Sequence, residues 1–143
     1  MRDVGHLHAR AGAARALIQL GERQRARDVA RAELDDVRVF GTPRALGIAL
    51  RAAGLAQGDA HGLELLAGSV AALRESPALL ERAHSLVELG AALRRSGERA
   101  SAREPLAEAL VSPPASGRDR SLPGHERSSG PPVPARDASG VLA

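Results

Sequence analysis

Apolar residues in this chain recur at helical rather than alternating spacing, the signature of helices that each bury one face. The clearest stretch runs from Leu86 to Leu110. Leu86, Leu89, Gly90 and Leu93 share one face, and Ala102, Leu106, Ala109 and Leu110 share another, with the turn Ser96-Gly97-Glu98 between them. Upstream, Leu7, Ala11, Ala14, Leu17 and Ile18 stripe a helix over residues 6–20 that ends at Gly21. Ala26, Val29, Ala30, Leu34 and Val37 stripe the next, closed by Gly41. Thr42-Pro43 and Ser76-Pro77 both read as an N-cap followed by proline at the first helical position. They open helices striped by Leu46, Ala49, Leu50 and Ala53, and by Leu79, Leu80, Ala83, Leu86 and Val87. Between these two, Gln57-Gly58-Asp59 turns the chain into a helix striped by Leu63, Leu66, Val70 and Leu73.

The turn glycines Gly21, Gly58 and Gly97 lie 37 and 39 residues apart. Periods of about 34 to 47 residues belong to two-helix solenoid repeats, in which stacked hairpins bury faces that none can bury alone. The order Leu-x-x-Leu-Gly-x-x-Leu-x-x-x-Gly followed by Ala-x-x-x-Leu-x-x-Ala, from Leu86 to Ala109, resembles the tetratricopeptide helix-turn-helix. Leu86, Leu93 and Leu106 stand at its aromatic positions. The middle hairpin keeps the period but lacks the Leu-Gly pair and carries an extra glycine, Gly62. Pro105 predicts a kink or a late start in the last helix, because proline inside a helix removes one hydrogen bond. The fold expected is all-α: a right-handed α-solenoid of three tetratricopeptide-like hairpins over residues 1–111. Residues 112–143 hold six of the nine prolines and few large apolar side chains, so a disordered tail is expected there.

Composition sharpens this only in part. Alanine and leucine dominate the apolar residues and Phe40 is the single aromatic, which favours helix over strand. All 20 basic residues are arginine, a bias that GC-rich codons explain without any appeal to arginine chemistry. Residues 1–111 carry 16 Arg against 14 Asp and Glu, a net of +2, and offer no aromatic stacking platform, so direct nucleic-acid binding is not expected. The absence of cysteine excludes disulfides and thiolate metal sites. No apolar run reaches the roughly 18 residues of a membrane span, and no leader is evident, so the expected compartment is the cytoplasm.

Candidate chemistry is sparse. His6 and His8, two residues apart, point to different faces of a helix and do not form a metal pair. His61 and His84 are isolated. Glu33, Asp35 and Asp36 cluster beside Arg31 and Arg38 and read as a solvated helical face. Ser69 and Ser85 sit in no nucleophile motif. Neither catalysis nor a cofactor is expected. Arg94, Arg95, Arg99 and Arg103 gather around the turn at Gly97 and are the candidate partner-binding patch, suited to an acidic peptide or a phosphate. Glu88, Glu98, Glu104 and Glu108 interleave with them and favour a plain surface role.

Gly21-Glu22, the run Ala30 to Leu34, Phe40 through Gly47, and Leu86 through Leu110 resemble the helical-repeat region of large ATP-dependent LuxR-type transcriptional regulators of MalT-like layout. The resemblance covers residues 6–111. It implies a non-catalytic segment that couples an upstream ATPase module to a downstream DNA-binding helix-turn-helix, with other domains of the parent regulator as partners. The alternative is a free-standing adaptor that takes a peptide or protein in its groove; exposed end faces also allow self-association. The chain has no phosphate-binding loop and no recognition helix, so no ATPase or DNA-binding residue carries over. Read one nucleotide out of frame with GC-rich third positions, residues 128–137 can spell a sequence similar to the one this family carries before its helix-turn-helix. The tail is therefore expected to be a frameshift product of a gene fragment. Translating the nucleotides downstream of codon 111 in the other frames is expected to give a LuxR-type helix-turn-helix, and its absence from every frame would sink the idea.

Overall fold

A computed structural model describes residues 4–111, with side chains from Ala9 onward. The tail expectation for residues 112–143 and the side chains of His6 and His8 lie outside the described residues. What is described is helical throughout: α1 (Val4–Gln19), α2 (Arg23–Phe40), α3 (Pro43–Gln57), α4 (Ala60–Arg74), α5 (Leu79–Arg95) and α6 (Arg99–Val111). None of these helices is long and apolar enough to cross a membrane.

The helix ends follow from local chemistry. Gly21, Gly58 and Gly97 all take the left-handed conformation, with φ of 81°, 71° and 92°. Two kinds of ending result. At Gly21 and Gly97 the chain makes the paired bonds of a Schellman turn. The amide of Glu22 donates to Leu17 O and that of Gly21 to Ile18 O, matched by Glu98 to Leu93 O and Gly97 to Arg94 O. At Gly58 the amide donates to Gly54 O, the simpler left-handed ending. The guanidinium of Arg23 donates to Leu55 O and Ala56 O, taking up further free carbonyls at that end of α3.

Thr42 caps α3, its hydroxyl accepting the Ala45 amide at 3.1 Å with Pro43 as the first helical residue. Asp59 caps α4 through the Gly62 amide at 3.0 Å. Ser76-Pro77 departs from expectation. The Ser76 hydroxyl accepts the Ala78 amide instead of capping a helix, and α5 begins two residues later, at Leu79. α6 does not start late: it runs from Arg99 with Pro105 buried inside it. The carbonyl that Pro105 leaves without a partner belongs to Ser101, an exposed residue where water can take the bond.

Each helix packs on the next, and α1, α3 and α5 also pack on one another in succession. α2 and α4 do not touch along their backbones, nor do α4 and α6; the Arg74–Glu108 ion pair, 2.7 Å, spans the second gap. The core is largely alanine, with Ala14, Ala26, Ala30, Ala49, Ala53 and Ala56 packed around Leu34, Val37 and Leu50. Leu66, Val70, Leu73, Leu86 and Ala102 carry burial on into α4, α5 and α6. Such small side chains let helix axes come close. Backbone meets backbone at the glycine that the sequence pattern left over. A Cβ on Gly62 would stand 2.7 Å from Gly54 O, and one on Gly54 would stand 2.9 Å from Gly62 O. In the last hairpin, Gly90 leaves room for Leu106, whose Cγ would lie 2.5 Å from a Cβ there.

The buried residues of α2 and α4 keep one spacing. Ala26, Ala30, Glu33, Leu34 and Val37 correspond, 36 residues on, to Gly62, Leu66, Ser69, Val70 and Leu73. Leu80, Val87 and Leu110, expected on apolar stripes, are instead exposed at 63%, 48% and 86%. Leu110 sits on a helix that packs only on α5 among the described elements, so one side of it is left uncovered.

Gly54→Ala is expected to lower stability by about 1–3 kcal/mol, because the added methyl meets backbone that cannot move aside. Gly12→Ala, where a Cβ meets nothing within 4 Å, should be neutral or stabilising by up to about 1 kcal/mol. Urea denaturation followed by circular dichroism distinguishes the two, and equal midpoints for both variants would contradict the close approach.

Candidate functional site

The Arg94, Arg95, Arg99 and Arg103 cluster is exposed at the α5–α6 turn. Among the described residues none of the four makes an ion pair. They are therefore available to an acidic partner. Arg95 alone lines a cleft of about 280 Å³ beside Gly58 and Asp59. His61 is exposed and lies 3.2 Å from Glu64, and His84 is exposed on α5. Among the described residues no group of three or more metal-ligating side chains comes together.

The polar residues that the fold does bring together are others. Arg51 of α3 reaches α5, where one guanidinium nitrogen donates to Glu81 Oε1 at 2.6 Å. The other donates to Glu81 O at 2.9 Å and Ser85 Oγ at 3.1 Å. Ser85 lies 2.7 Å from Ser69 of α4, whose hydroxyl donates to Gly47 O of α3 at 2.6 Å. With the Ser69 proton committed to Gly47, Ser85 is the donor in the pair of hydroxyls. One polar chain thus joins three helices, and both serines are fully buried. Burial works to raise the Glu81 pKa, but the hydrogen bond and charge of Arg51, together with Arg44 and His84, outweigh it and hold the carboxyl below its usual value.

This network is legible only in hindsight. Arg51 is the one charged residue between Ala45 and Ala56, and Ser69 stands on the same helical face as Leu66 and Leu73. Those are the signals of a buried polar pair rather than of a nucleophile.

Above the network, a cleft of about 390 Å³ opens along α1, α3 and α5. Ile18, Ile48, Leu55 and Val87 give it apolar walls, while Arg15, His84 and Glu88 give it charge.

Glu33 corrects an expectation. It is not on a solvated face: it is 1% exposed, at the α2 position that Ser69 occupies in α4, and its Oε1 has no hydrogen-bond partner. Arg10, whose charge acts on Glu33, pairs with Asp36 at 2.8 Å. Burial pushes the Glu33 pKa up to about 7, against the opposing effects of the Arg10 charge and the Ala11 backbone, with the Asp36 charge adding to the rise. Asp36 and Asp35 remain nearer the surface.

Neither a family model, a curated protein nor a solved structure matches this chain. What stands on the geometry alone is that the described residues are all-helical.

A carboxyl whose folded pKa lies above its unfolded value stabilises the fold below the unfolded pKa and loses that contribution as pH rises through the folded value. The melting temperature is therefore expected to fall by roughly 5 °C between pH 5 and pH 8 through Glu33. Glu33→Gln should flatten that dependence. Identical pH slopes for the two proteins, measured by thermal denaturation, would place Glu33 in solvent.

Proposed function

We propose that this chain is a non-catalytic interaction segment built as a short α-solenoid of three tetratricopeptide-like hairpins. The observation that carries the reading is the repeated spacing of buried residues in α2 and α4, 36 residues apart. The contact order supports it: the first helices of successive hairpins pack together while the second helices stand apart, as in a superhelix with a groove along one side. In this reading α1, α3 and α5 line that groove, and the cleft flanked by Val87 and Arg15 is where a protein segment docks. The Arg51 chain stiffens it from beneath.

The resemblance to LuxR-type regulators makes other domains of a parent regulator the natural partners, with the hairpins passing strain between an ATPase and a helix-turn-helix. The free-standing adaptor remains the second reading, because the same cleft serves a peptide in trans.

Both readings place binding on the cleft. If the coding sequence is preceded by an ATPase segment, that segment is expected to bind the chain in calorimetry. Arg15→Glu and Val87→Asp, both at exposed positions, should weaken it at least tenfold, about 1.4 kcal/mol. If no ATPase is encoded upstream, peptides selected against the chain from a random library should lose affinity with the same two substitutions. Ligands indifferent to both would reject the cleft as the interaction surface.

A further inference from the structure

A second groove, unrelated to the α1–α3–α5 cleft, opens between α2 and α4 where those helices stand apart, and α3 floors it. Its volume is about 280 Å³. Arg27, Arg31 and Arg38 project from the α2 wall, with Asp35 among them. Like Arg94, Arg95, Arg99 and Arg103, these arginines make no ion pair among the described residues, but here they line one groove. Arg10, Arg25, Arg51 and Arg74 each hold a carboxylate within 2.8 Å. Among the described residues Arg27, Arg31 and Arg38 hold none, and Arg27 makes only a neutral bond, to Gln24 Oε1 at 3.0 Å. The floor and the far wall are of different character. Ala53 of the floor and Leu65 of the far wall are apolar, as is Leu34 of α2 itself, and Gln57 and His61 supply hydrogen-bonding groups.

Three physical features define what fits. The arginines span eleven residues of α2, about 16 Å along the helix axis, so a single phosphate would engage a neighbouring pair at most. The apolar floor demands apolar side chains on the same ligand. Asp35, standing within the row, repels a uniform polyanion and admits discrete carboxylates placed to either side of it. Residues 112–143 of this chain carry four Arg against three Asp and Glu, the wrong sign to serve as the occupant.

We propose that the α2–α4 groove binds an acidic amphipathic peptide segment of a separate protein. Its carboxylates lie on Arg27, Arg31 and Arg38, and its apolar side chains lie on Leu34, Ala53 and Leu65. Charge-assisted hydrogen bonds to guanidinium groups set the register, and the partly apolar floor excludes water from them.

The test uses the full chain and a fluorescein-labelled synthetic helical peptide with glutamate along one face and leucine along the other, read by anisotropy. Saturable binding that weakens as salt rises is expected. The exposed pair Arg31→Ala and Arg38→Ala should weaken it about tenfold or more, and Asp35→Asn should tighten it, an effect that no purely structural role of Asp35 produces. Arg15→Glu in the other cleft should change nothing. The proposal is overturned by absence of saturable binding, or by binding indifferent to Arg31, Arg38 and Asp35. It is equally overturned if Arg94→Ala and Arg99→Ala weaken binding as strongly, or if inorganic polyphosphate or an RNA oligonucleotide displaces the peptide at equal charge. Circular dichroism of each variant verifies that the fold is intact.

Discussion

The contact between α3 and α4 at Gly54 and Gly62 sets the geometry on which the rest depends. Two backbones meet there with no side chain between them, which draws α4 tightly against α3 along its length. That closeness is what lets the Ser69 hydroxyl reach Gly47 O and, through Ser85 and Arg51, join α5 to the same pair. With larger residues at the crossing, Ser69 would lose its reach to Gly47 O and to Ser85, and the chain would be cut where it enters α4. A core this rich in alanine buries little area per residue, so proximity has to do what bulk does in other helical proteins.

The two buried polar positions illustrate how the same site can be resolved differently. Ser69 and Glu33 hold corresponding places on α4 and α2. Ser69 is short and neutral, and both its donor and its acceptor capacity are used. Glu33 is longer, and Arg10, whose charge favours its ionised form, is already engaged by Asp36. It keeps one oxygen without a partner, and its proton is held to near neutral pH. Replacing one buried group by another of the same polarity does not preserve the balance unless the partners on the facing helices change with it.

How much of this was legible follows from how local each cause is. The turn glycines, the Thr42 cap and most of the helical faces rest on a few consecutive residues and are where the pattern puts them, whereas Leu80, Val87 and Leu110 fall off the expected stripes. The room that Gly90 leaves for its neighbour is also where the pattern puts it. Ser76-Pro77 carries the same local signal as Thr42-Pro43 but lies in a longer connection, where the hydroxyl finds a nearer amide. Glu33 misled because arginines and aspartates flank it in the chain, whereas its burial is decided by α1. The Arg51 chain escaped because its partners lie 30 and 34 residues away. Of the arginines, sequence proximity singled out Arg94, Arg95, Arg99 and Arg103. The groove-lining set on α2 is spaced over three turns of one helix and converges only against α4.

The difference between the two turn types has a consequence for how such a protein could be rearranged. The turn glycines of the first two hairpins are 37 residues apart, whereas the buried faces of α2 and α4 are 36 apart. The single-bond ending at Gly58 absorbs the missing residue. On a helix, one residue is about 100° of rotation. A hairpin spliced to its neighbour at the glycine, with the other kind of turn, would swing Leu66 and Leu73 off the core and bring the exposed Ala67 and Arg74 towards it. The interchangeable module is therefore not the stretch from glycine to glycine but the helix together with the turn that precedes it, and recombination that ignores this boundary yields hairpins in frame but out of phase.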